Sequence, residues 1–299
     1  MKLNRLALAL LLVFMLGTSN TSAQDDTRIA PFYALVPGGV HFHDGDIGTG
    51  LVFSATEVSL LTTGILINHR FDRRELNVPL LLAGQLYAVD KWSSFQKRQL
   101  RLQARDPNAS SLRVDPTPLP RLLVAPFDPR VVSDPFVLTF AALGFIDGIV
   151  AYPRHHRTFS DIATVRAFSR RMSRATGTSY YEGAAGVVSY GAAVSEEMTF
   201  RGLLLPLIDH RFGRRTGLVT TSVTFGLAHL FNADIDKPVY FLSQATIAGF
   251  VFGYHVQRHD YRLSTVIAAH FWYDVVSATT TWLINPQENP LGVQVGLRF

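Results

Sequence analysis

Glu196-Glu197-Met198-Thr199-Phe200-Arg201-Gly202, followed by Leu203-Leu204-Leu205-Pro206, sets two adjacent carboxylates and an arginine between apolar runs. Burying ionisable groups is costly, and inside a membrane segment such a group marks a functional position by default. Read as a helix, the stretch puts Glu197 and Arg201 at i and i+4 on one face, where they can pair. Glu196 then points about 100° away. One carboxylate is anchored by the arginine, and its neighbour is available as a general base.

The composition around this stretch is that of a membrane protein. The 299 residues are 47% hydrophobic and only 17% charged, against about 25% charged in soluble domains. The formal net charge of +5 comes from arginines scattered in short polar segments between apolar runs. That distribution suits loops at an anionic bilayer surface and argues against a nucleic-acid partner. With no cysteine in the chain, disulfides, thiol catalysis and Cys-ligated zinc are excluded.

Taken in order, residues 1–23 read as a cleavable signal peptide: Lys2 and Arg5, an apolar run over 6–16, then Thr21-Ser22-Ala23. His41, His43, Asp44 and Asp46 read as a loop entering a helix, with Asp46 as its N-cap, rather than as a metal cluster. Residues 47–67 form a candidate span whose Glu57 should face protein. A basic connector (69–75) and a second apolar run (77–89) follow, then a segment over 97–130 rich in proline, which breaks helices and sheets. Asp134-Pro135 signals the start of a helix running to about Tyr152. The Arg-rich residues 154–174 are expected to hold an interfacial helix. Residues 180–194, rich in Gly, Ala and Ser, lead into the glutamate pair with a composition that allows close helix approach. Three more apolar segments cover 216–231, 238–256 and 263–284. The tail 291–299 alternates like a strand, but the chain lacks the repeated alternation of a barrel. The fold class expected is all-α, a polytopic helical membrane protein with about six to eight transmembrane helices. Its expected parts are the signal peptide (1–23), an N-terminal region (24–130), a membrane domain (131–285) and a C-terminal tail (286–299).

Two further motifs accompany the glutamates. Phe225-x-x-x-His229 and His270-x-x-x-Asp274 each place an imidazole at helical spacing from a partner. Asp274 at i+4 can set the tautomer of His270. Five ionisable groups buried separately would be expensive, so their convergence on one cavity is expected.

In this order and with these gaps, the motifs resemble the signature of the CPBP family of intramembrane proteases, the CAAX-processing and bacteriocin-processing (Abi, Rce1-like) group. The resemblance covers about residues 135–284. It implies a helical membrane fold and hydrolysis of a peptide bond in or beside the bilayer. Residue by residue, it implies Glu196 as the group that activates water with His229 assisting, and His270 with residue 274 as the oxyanion pair. Glu197, Arg201 and Phe225 are supporting residues. Family members commonly carry Asn where this chain has Asp274. An ionised Asp cannot donate to an oxyanion, so Asp274 is protonated, orients His270, or joins a metal site. The resemblance implies no cofactor. Zinc is the alternative, and Glu196, His229 and His270 would be its ligands. The expected partners are membrane lipid and a peptide or protein substrate, and the expected location is the inner membrane, multi-pass. The competing functions are a non-catalytic immunity protein of the same fold and a transporter using the carboxylates as a proton relay.

Overall fold

The Asp134 carboxylate accepts the Phe136 amide at 2.8 Å, so the helix that the sequence starts at Pro135 does start there. This computed structural model describes residues 31–68, 77–105, 112–150, 159–167, 170–230, 238–291 and 294–297. The signal segment, the connector at 69–75 and residues 232–234 lie outside the described residues.

The chain is mostly helical. Its longer helices are α1 (Ile47–Asn68), α2 (Val78–Arg105), α3 (Pro135–Val150), α4 (Arg174–Thr199), α5 (Leu205–Phe212), α6 (Arg214–His229), α7 (Pro238–Arg258) and α8 (Ser264–Ile284). Among the described residues one stretch, Ile47–Ile67, is long and apolar enough to cross a membrane, and Pro135–Val150 is a shorter apolar helix. Asp46 begins α1 as expected, accepting the Thr49 amide at 3.3 Å. On α1, Leu51, Val52, Leu61, Ile65 and Leu66 are exposed while Glu57 is buried, so the carboxylate faces protein.

The structure divides into two compact units: residues 1–58, 84–119 and 195–263, and residues 59–83, 120–194 and 264–299. In the first, Asp115 from the proline-rich stretch is buried, accepting the Leu263 amide at 2.7 Å and the Thr117 amide at 2.7 Å. The carboxylate thereby satisfies backbone donors just ahead of α8. Asp209 accepts from Tyr261 Oη at 2.6 Å and Gln257 Nε2 at 2.8 Å, tying α5 to the end of α7.

In the second unit, α3 and α8 approach closely at Gly144 and Gly148. A Cβ at Gly144 would run into the Tyr273 carbonyl, and one at Gly148 would stand 2.6 Å from Thr280 Cβ. By contrast, a Cβ at Gly183 or Gly186 would meet nothing within 4 Å. Gly183 and Gly186 are therefore not where helices touch; the close approach of α3 to α8 uses the G-x-x-x-G spacing of α3.

The Arg-rich stretch departs from its expected helix. Residues Ile162–Ala167 (β1) and Arg170–Ser173 (β2) are antiparallel strands, and the tail strand Gln294–Leu297 (β3) pairs with the other edge of β1, giving the order β2-β1-β3. A register shift between Ile162 and Thr164 resets the alternation, so Ile162 and Val165 are both buried. That bulge hides the period-two pattern from the sequence. The pair packs on Tyr181, Ala185, Ala278 and Trp282, with Tyr181 stacked on Trp282 at 4.2 Å.

Candidate active site

The two glutamates occupy the last turn of α4, and the backbone then changes register. Phe200–Leu204 form a π-helical turn between α4 and α5. Such single turns inside α-helices are frequent at functional sites. The expected ion pair survives it: Arg201 Nη1 donates to Glu197 Oε1 at 3.0 Å, with both side chains almost wholly buried. Phe225 presents its ring 4.1 Å from the Arg201 guanidinium, and Phe252 lies 5.5 Å from it. The cation is thus held by one carboxylate and covered by aromatic faces, which suits a planar, weakly hydrated guanidinium.

Phe225 also sets His229, one turn on at the end of α6. The rings stand edge to face at 4.7 Å, and His229 Nδ1 lies 2.8 Å from the Phe225 carbonyl oxygen. A carbonyl only accepts, so Nδ1 carries a proton and Nε2 is the ring's other working atom. Nε2 stands 4.0 Å from Glu196 Oε2, and both side chains are partly exposed, at 26% and 30%. That gap is too long for a direct hydrogen bond. Glu196 Oε2 is itself closed to solvent, so a bridging water enters only as the gap widens.

Two residues absent from the sequence reading support this motif. Trp92 of α2 is buried, and a Cβ at Gly202 would fall inside its indole. Gly202 is therefore required by close approach inside the π turn. Phe252 is the other. Nothing in their spacing marks either residue, because the contacts join segments distant in sequence.

His270 and Asp274 belong to the second unit, on α8. His270 Nε2 lies 3.5 Å from Asp274 Oδ2, and His270 is nearly buried while the Asp274 side chain is 30% exposed. The helical i, i+4 spacing expected of them holds. On the same helix Ser277 donates to Asp147 Oδ2 at 2.9 Å, and Trp272 Nε1 donates to the Pro126 carbonyl at 2.9 Å.

Residues 183–276 match the Rce1-like family. The model they match is described as type II CAAX prenyl endopeptidase Rce1-like, a family of membrane-embedded peptidases. The Rce1-like match spans less than half of the chain and contains Glu196, Glu197, Arg201, Phe225, His229, His270 and Asp274. The resemblance read from the motifs is thereby found over the segment that carries them. No curated protein and no solved structure matches the chain.

Proposed function

We propose that this protein is a multi-pass, inner-membrane endopeptidase of the CAAX type, hydrolysing a peptide bond in or beside the bilayer without a cofactor. The observation that carries the reading is the pairing of Glu196 Oε2 with His229 Nε2 across 4.0 Å, with His229 Nδ1 committed to the Phe225 carbonyl. Glu196 takes a proton from a water admitted beside it as the water oxygen bonds to the substrate carbonyl carbon. The tetrahedral oxyanion then collapses, the C–N bond breaks, and Glu196 returns the proton to the departing amine. The products are a carboxylate and an amine.

The resemblance assigns His270 and Asp274 to the oxyanion. Of the three roles open to Asp274, its 3.5 Å separation from His270 Nε2 supports the orienting one. With Nε2–H directed at Asp274, His270 donates to an oxyanion from Nδ1, which requires the imidazolium, stabilised by the Asp274 carboxylate. The Glu197–Arg201 pair fixes the end of α4 so that Glu196 is presented and its neighbour is not. The six to eight spans and the cleavable signal peptide belong to this proposal, supported by composition and by the apolar segments.

Glu196→Gln should abolish cleavage while leaving membrane insertion and thermal stability unchanged. New protein termini should appear only in membranes carrying the wild-type protein, and activity should survive a metal chelator. Retained cleavage by Glu196→Gln would overturn the glutamate mechanism, and loss with chelator followed by recovery with zinc would overturn the cofactor-free one. An unchanged cellular phenotype in Glu196→Gln and His229→Ala would point to a non-catalytic protein.

A further inference from the structure

The outward face of the β1–β2 hairpin carries a charge arrangement that the peptidase reading does not use. Because the bulge turns Ile162 and Val165 inward, Thr164 and Arg166 face outward, opposite Ser173 and Arg171 in the register. Residues directly opposite in an antiparallel pair have Cβ atoms about 5 Å apart, and like charges there are destabilising. Arg166 and Arg171 occupy such a pair, with exposed Arg170 beside them. Among the described residues no carboxylate lies in salt-bridge reach of Arg166, Arg170 or Arg171. Arg171 Nε donates to Thr164 Oγ1 at 3.2 Å, which lays that guanidinium on the outward face. Two adjacent guanidinium groups beside the Thr164 hydroxyl, with no carboxylate in salt-bridge reach among the described residues, form a platform for oxyanions of the phosphate type.

The position of the sheet within its unit says where such anions come from. Its buried residues pack on the first turns of α4, through Tyr181 and Ala185, and on the last turns of α8, through Ala278 and Trp282. The sheet therefore lies at the end of these helices. The chain also reaches the sheet soon after leaving α3, whose Leu138, Leu143, Phe145, Ile146 and Val150 are exposed. An arginine-rich face at the end of an apolar helical layer is where the hydrocarbon of a bilayer gives way to headgroups.

We propose that Arg166 and Arg171, with Thr164, dock this face on the phosphates of anionic phospholipids. The lipid relieves the repulsion that the register builds into the hairpin, and the hairpin holds the end of its helical layer at the headgroup level.

The test uses the full-length protein in mixed micelles, titrated with tail-labelled phosphatidylglycerol and, separately, phosphatidylcholine. The wild-type protein should prefer the anionic lipid, and Arg166→Gln/Arg171→Gln should lose about thirtyfold of that preference, at ~1 kcal/mol per arginine near the surface. Arg166→Lys/Arg171→Lys should keep most of it, and 0.5 M salt, where the Debye length is about half its physiological value, should weaken it in the wild type. Unfolding temperature in neutral micelles reports whether each variant is folded, and the single change Arg166→Gln serves if the double variant is not. An equal preference in wild-type and glutamine variants would overturn the proposal. So would competition by inorganic phosphate or polyglutamate as strong as that by the lipid, since the platform would then take free anions or an acidic protein segment.

Discussion

Glu197 and Arg201 show why neighbouring glutamates divide their roles. Glu197 is fully buried and 3.0 Å from a guanidinium that is itself buried under Phe225, so each charge depends on the other for compensation. Removing one partner of a buried pair commonly costs ~3–5 kcal/mol, whereas replacing both with apolar or neutral groups of similar shape costs far less. Arg201→Ala should therefore lower stability by about that amount, and Glu197→Gln/Arg201→Met should be more stable than Arg201→Ala, as read by unfolding temperature in detergent. Glu196→Gln should leave the same temperature unchanged, because Glu196 lies at the partly exposed gap facing His229. A comparable loss in Glu196→Gln would show that the two carboxylates are not separated as described.

At the scale of elements, the spacing of α3 and α8 depends on glycines that the sequence does not distinguish from others. Gly144 and Gly148 lie one turn apart where α3 meets the backbone and side chains of Tyr273, Ser277 and Thr280 on α8. Gly183 on α4 would carry a Cβ into open space. Gly144→Ala should destabilise the protein by ~1–3 kcal/mol through overpacking. Gly183→Ala should stabilise it by up to ~1 kcal/mol through helix propensity. Opposite signs in the two unfolding temperatures are the expected result; equal shifts would contradict the close approach. Gly144→Ala should also disturb His270 and Asp274, because they lie on the helix that would be pushed away. The π turn follows the same logic: Gly202 is small because Trp92 occupies the volume where a side chain would go.

At the scale of the whole molecule, the family match and the rest of the chain contribute different things. The seven motif residues fall within 183–276, yet Trp92, Asp115 and the α3 glycines lie outside it and pack against elements that reach into it. The N-terminal region also brings an ion-pair cluster ahead of α1, and that cluster makes stability pH-dependent. The Lys97 ammonium, 2.6 Å from Asp46, holds the Asp46 carboxyl down from 3.8 to about 2, assisted by Thr49. Burial pushes the Asp44 carboxyl up, but hydrogen bonds from Arg98 and His43 and the guanidinium charges of Arg98 and Arg101 outweigh it and leave it lowered. A carboxyl lowered on folding contributes stability that is present above its unfolded value and is lost as pH falls through its folded value. Acid titration should therefore reduce stability from near pH 4 down to about pH 2. Asp46→Asn should flatten that limb without altering stability near neutrality relative to Lys97→Met, the variant that removes the same pair from the other side.

Most of the long helices, their starts at Asp46 and Asp134, and the pairing of Glu197 with Arg201 were legible because hydrophobic pattern, capping and i, i+4 spacing act within a few residues of one another, whereas the run of α2 on to Arg105 was not. The motif order around Glu196, His229, His270 and Asp274 was legible for the same reason, as each motif is a local spacing on one helix. The hairpin was not, because a bulge interrupts its alternation and its third strand comes from the far end of the chain. Trp92 over Gly202, Phe252 beside Arg201, and Gly144 against Tyr273 were also decided only by the tertiary structure. Those contacts fix which glycines must stay small and which carboxylate stays buried, and they depend on volumes shared by segments that the sequence holds far apart.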